Sequence, residues 1–154
     1  MKTEQDRRIS QATSFVKDLL AAAELDLEFR CDAEEQGIIV RLYGQDAGMV
    51  LSGGARLLYA INHILNRAFY EPGTEAFNVL VDCNDYRSTR AEELESLARK
   101  AAEGVNESGE LYFFEPLPAS ERRVVHLALA EEPGVMTESE GSGPERRVVI
   151  LPVK

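Results

Sequence analysis

Apolar side chains at Ile9, Ala12, Phe15, Val16, Leu19, Leu20 and Ala23 recur at intervals of three and four, the stripe of an amphipathic helix. The period then changes to two: Leu25, Leu27, Phe29 and Cys31 alternate with Asp26, Glu28 and Arg30, as on a half-buried strand. The polar stretch "DAEEQG" turns the chain into a second β-rich run, "IIVRLYG", so residues 25–43 read as a hairpin ending at Gly44. Helical spacing returns in "QDAGMVLSGGARLLYAINHILNRAFY", where Leu57, Leu58, Ile61, Ile64, Leu65 and Ala68 form one stripe. Ser52, Gly53 and Gly54 interrupt it, because adjacent glycines inside a helical pattern favour a turn. After "EPGTEA", the run "FNVLVDC" supplies a third strand. About ten polar residues precede the first helix, so residues 1–10 read as an extension and 11–85 as one α+β unit.

A second unit, residues 86–154, follows. In "STRAEELESLARKAAEGVNESG", Thr89 and Glu92 stand at capping-box spacing, and Ala91, Leu94, Leu97, Ala98, Ala101 and Val105 make the buried stripe. "LYFFEP" reads as a strand, "SERRVVHLALAEE" as a helix capped by Ser120, and "VMTESE" and "RRVVILPV" as two strands joined around "GSGP". The expected class is α+β with two small domains, the first α-β-β-α-α-β and the second helices on a three-stranded sheet.

Composition removes several functions. No run approaches the roughly 18 apolar residues of a membrane span, and the polar start "MKTEQDRRIS" is unlike a signal peptide, so a cytoplasmic protein without membrane insertion is expected. Cys31 and Cys83 read as free thiols in strands; with His63 and His126 they offer no chelating spacing, so neither metal nor cofactor is expected. His63 falls off its helix stripe and reads as solvated. "GMVLSGGA" lacks the lysine and hydroxyl of a phosphate-binding loop, and Ser52 lacks a nucleophile elbow. A non-enzyme is expected.

The formal charge of -10 argues against polyanions, and neither half is basic, at -6 for residues 1–86 and -4 for 87–154. Yet Arg122 and His126 lie four apart on one predicted helix, so both face one way, the arginine with a fork of donors and the histidine with a donor and a ring on which a base can stack. A solvated or packed histidine is the competing reading. The segments "DCNDYRSTRAEELESLARKAAEGV", "EPLPASERRVVHLAL" and "GVMTESEGSGPERRVVILP" together resemble the R-three-H domain, and most closely that of the Jag family, also called SpoIIIJ-associated proteins. The resemblance implies a surface for single-stranded nucleic acid that includes Arg122 and His126.

That family carries a KH domain ahead of the R-three-H domain, and the order of elements in residues 11–85 agrees. A KH domain grips single strands with a G-x-x-G loop, which here corresponds to Ser52, Gly53, Gly54 and Ala55: both glycines of the pattern have become small residues, and no cation follows until Arg56. Arg123, Arg147, Arg87 and Arg90 are the supporting cations, with plain surface charge as the competing reading. Since Arg146 and Arg147 alternate sides of a strand, only one of them serves a given face. Thr137 and Ser139 are candidate phosphate partners or simply a polar strand face. The expectation is a non-catalytic protein that binds single-stranded RNA, with single-stranded DNA as a competing ligand, in post-transcriptional or cell-envelope regulation. The alternative is an interaction module whose KH half pairs with a small KH protein or with itself and has lost RNA.

Overall fold

The first stripe folds as α1 (Glu4–Ala22), which buries Ala12, Val16 and Leu20. In this computed structural model, which describes residues 4–34, 37–70 and 78–153, α1 begins inside the stretch expected to be an extension. The reason is physical: an acid in a first helical turn favours the positive end of the helix dipole, and Asp6 stands there. The centre of the predicted "DAEEQG" turn and the whole of "EPGTEA" lie outside the described residues.

Strand β1 (Glu28–Glu34) pairs antiparallel with β2 (Gly37–Tyr43), Cys31 opposite Val40. Strand β3 (Asn78–Cys83) pairs parallel with β2, Val40 opposite Val81, giving the order β1-β2-β3. A parallel pair needs a crossover, supplied by α2 (Ala47–Ala68). One sheet face carries Ile38, Val40, Leu42, Val79, Val81 and Cys83 into a core with α1 and with Val50, Leu58, Ile61 and Leu65 of α2. The thiols are free, and burial pushes both above the ordinary value.

The outer edge of β3 is closed by side chains. Asn66 of α2 donates to Val79 O (2.6 Å) and accepts from Val79 N–H (3.0 Å), Asn62 Oδ1 accepts from Val81 N–H (2.8 Å), and Arg87 Nε donates to Val81 O (2.7 Å). These bonds satisfy backbone groups that would otherwise template pairing with another strand.

The chain divides into two compact units, Met1–Arg87 and Ser88–Lys154. The division falls just inside α3 (Tyr86–Ser108), whose early Arg87 N–H is held by Asp82 Oδ1 at 3.2 Å, so the helix starts before the Thr89 expected to cap it. The second unit continues with β4 (Tyr112–Phe113), α4 (Ala119–Ala128), β5 (Val135–Glu140), a short 3-10 turn (Gly143–Glu145) and β6 (Arg147–Pro152). Pro118, not Ser120, precedes the first turn of α4; it is extended, at φ -56° and ψ 156°, and brings no side-chain cap. The sheet order is β4-β6-β5, antiparallel throughout. Leu94, Ala98, Ala102 and Val105 of α3, Val125 of α4, and Val148 and Ile150 of β6 share one core.

Candidate nucleic-acid interface

Residues directly opposite in an antiparallel pair share a sheet face. Thr137 stands opposite Ile150 and Ser139 opposite Val148, so both hydroxyls lie on the face that packs against the helices. Helix α4 turns Val125 and Leu129 into the core, which brings Arg122 and His126, one turn apart, over those hydroxyls. Arg122 Nε donates to Leu117 O (3.2 Å) and its Nη1 to Ser139 Oγ (3.3 Å). His126 Nδ1 meets Thr137 Oγ1 at 2.7 Å and Nε2 meets Ser139 Oγ at 2.8 Å. Arg122 and His126 are half-buried.

Both ring nitrogens are engaged: Ser139 Oγ accepts from the guanidinium and shares a hydrogen bond with Nε2, and Thr137 Oγ1 shares one with Nδ1, the donor in each depending on the tautomer. Burial first, and the adjacent Arg122 charge second, push the imidazole below its ordinary value of 6.5, in agreement with a neutral ring. The histidine therefore has no ring nitrogen to spare: the expected donor is spent inside the protein, and only the ring surface remains for a ligand.

Alternation also separates the charges. Glu138 and Glu140 of β5 point to the opposite sheet face, away from Thr137 and Ser139. Arg147 goes with them: its Nε lies 2.8 Å and its Nη2 2.6 Å from Glu140 Oε1, and its guanidinium stacks 4.8 Å from the centre of the Phe113 ring. The expectation that Arg147 joins the Arg122 surface is thus corrected. Arg146, in extended backbone one residue earlier, alternates onto the face of Val148 and hence of Ser139. Its carbonyl accepts from Leu117 N–H at 3.0 Å, on the residue whose carbonyl holds Arg122. Arg146 and Arg123 are exposed and have no ion-pair partner among the described residues. The parity that separates Arg146 from Arg147 is readable in "ERRVVIL"; choosing between them needed the partner strand.

Two further expected contacts are committed to the fold. Arg87 belongs to the first unit, where it bonds Val81 O and Asn62 Oδ1 and stacks 5.2 Å from the Tyr59 ring centre. Arg90 pairs with Glu121 (3.2 Å) and Glu93 (3.2 Å). Glu121 is only 5% exposed, a carboxylate on the buried stripe of α4. Its spacing, four before Val125 and eight before Leu129, was the available signal, and its charge concealed it.

In the first unit, the Ser52–Ala55 segment breaks α2 as the paired glycines require. Ser52 is extended, and Gly53, Gly54 and Ala55 are left-handed at φ 58°, 75° and 56°. Ser52 Oγ donates to Met49 O at 2.8 Å, and the Ala55 methyl is fully buried. A Cβ at Gly53 or Gly54 would meet nothing within 4 Å, so these glycines serve the backbone turn and leave open space outside it. Arg56, exposed and without a partner among the described residues, follows directly. His63 is exposed, as its place off the stripe implied.

Among the described residues no group of three or more His, Cys, Asp or Glu could hold a metal, and no helix is long and apolar enough to cross a membrane. Residues 92–152 match the family model of the R-three-H domain. The chain is 32% identical over 142 residues to the RNA-binding protein KhpB of Lactiplantibacillus plantarum, covering 88% of this chain and 41% of that protein. It is 28% identical over 149 residues to KhpB of Clostridium symbiosum (97% and 66%) and 26% identical over 144 residues to KhpB of Bacillus subtilis (92% and 69%). The chain thus spans from 41% to 69% of the length of these relatives.

Proposed function

The chain belongs to the Jag family, with an R-three-H domain over residues 92–152, and on that premise we propose that it binds single-stranded RNA without catalysing a reaction on it. The observation that carries the reading is the segregation on the second unit: Arg122 bonded to Ser139 on one sheet face, Glu138 and Glu140 on the other. Local arrangement, not net charge, decides phosphate affinity when cations are unpaired and carboxylates point elsewhere. The name borne by the relatives, RNA-binding protein, supports RNA as the polyanion. On this reading the site comprises Arg122, Arg123 and Arg146, with the His126 ring surface beside them; single-stranded DNA is a competing ligand, and the protein acts in the cytoplasm.

The first unit is, on the same reading, a KH-type domain. Its Ser52–Ala55 loop leaves space for a sugar-phosphate backbone and places Arg56 beside it, a weaker secondary contact. The lack of a cation within the loop itself favours a second reading for this unit alone: it pairs with a small KH protein or with a second copy.

Fluorescence anisotropy with a labelled single-stranded RNA tests the proposal through two neighbouring charges. Arg146→Gln and Arg147→Gln change the net charge equally but lie on opposite sheet faces. The first is expected to weaken binding and lower the slope of log affinity against log salt by about 0.7, one phosphate contact. The second should leave the slope unchanged. Equal effects would mean that RNA responds only to overall charge, and no measurable binding at low salt would leave the interaction-module reading standing.

A further inference from the structure

Four bonds hold Arg122 and His126 where α4 crosses β5. Arg122 is tethered along one side, Nε to the carbonyl of Leu117 and Nη1 to Ser139 Oγ. His126 is tethered at both nitrogens, and its Nε2 uses the same Ser139 oxygen. A guanidinium has five N–H donors in a fixed plane, so two internal bonds leave three for a ligand. The two bonds also decide which way those three point.

We propose that Ser139 is the positioning residue of the nucleic-acid site: its hydroxyl fixes the Arg122 guanidinium for an incoming phosphate, while His126, held between Thr137 and Ser139, locks that hydroxyl in place. The inference rests on the reading that this site binds RNA. A free arginine has many rotamers and loses them on gripping a phosphate; one already clamped at Nε and Nη1 has lost them during folding. The bond to Nε2 holds the serine hydroxyl, and its oxygen turns a lone pair to the guanidinium. The imidazole thus reaches the ligand through the serine and the arginine. Along the chain Ser139 reads only as a phosphate partner or a polar strand position; its positioning role comes from the strand parity that sets it under α4.

A double-mutant cycle read by RNA anisotropy tests this. Ser139→Ala is expected to weaken binding roughly three- to tenfold, the effect of unclamping one rotamer-rich side chain. In an Arg122→Ala background the same change should alter affinity by less than about twofold, because there is no guanidinium left to position. Ser139→Thr keeps the hydroxyl and suits a strand, and should restore affinity to near the parent value. An equal loss with and without Arg122 would overturn the proposal, since Ser139 would then touch RNA by itself. So would a threonine variant as weak as the alanine one while its melting temperature matches the parent's. If Arg122→Ala alone leaves affinity intact, it is the RNA-binding reading of this surface that fails, an outcome distinct from either of those.

Discussion

Replacing Arg90 by alanine asks whether the cation near the start of α3 contacts RNA or holds the second unit together. Glu121 is 5% exposed, and the Arg90 side chain, whose Nε lies 3.2 Å from Glu121 Oε2, is 32% exposed. Truncating one partner of a fully buried pair costs about 3–5 kcal/mol, because the other charge stays desolvated. Here a third of Arg90 faces water, which screens the pair, so the expected loss is about 2–3 kcal/mol. The cost lies in a buried carboxylate that has lost its arginine, so Arg90→Met combined with Glu121→Leu should recover most of it. Urea unfolding followed by far-ultraviolet circular dichroism measures each variant, with a shifted midpoint and an unchanged slope expected for Arg90→Ala. RNA affinity of the folded variant should stay within about twofold of the parent's. A loss under about 0.5 kcal/mol, or binding abolished at unchanged stability, would refute the structural role given to this pair.

Asn66→Ala strips Val79 of partners for both N–H and C=O on a residue that is fully buried, and should cost about 2–4 kcal/mol by chemical denaturation; it also opens the β3 edge, so concentration-dependent association by light scattering is expected. The neutral His126 ring gives a pH signature. Its folded-state value lies below 6.5, so the unfolded chain takes up the proton first as the solution is acidified; the stability it contributes is complete above pH 6.5 and is lost as pH falls through the lowered value. The parent's melting temperature should therefore drop more steeply below about pH 6.5 than that of His126→Gln, and parallel curves would exclude a neutral ring. Gly54→Ala should cost about 1 kcal/mol from its left-handed backbone alone, at φ 75° with no steric conflict, and Gly54→Asn less, since asparagine tolerates that region.

Periodicity is a local property, and it set the helices, the strands and the two-unit order wherever the pattern was long: the stripes of α1 and α3, the alternation of β1 and the Ser52–Gly54 break are all written in consecutive residues. The same local rule put Arg122 and His126 on one face of α4. Helix starts were less legible, because Pro118 and Asp82 act from outside the segments they begin. The fate of each cation was not legible at all. Arg90, Arg87 and Arg147 look like Arg122 in sequence, but they meet Glu121, Val81 with Asn62, and Glu140 with Phe113. Those partners are brought within reach only when strands take a register and helices cross them. Which side chains are spent on the fold and which remain for a ligand depends on distance in space, and that is fixed by packing between segments that no window along the chain contains.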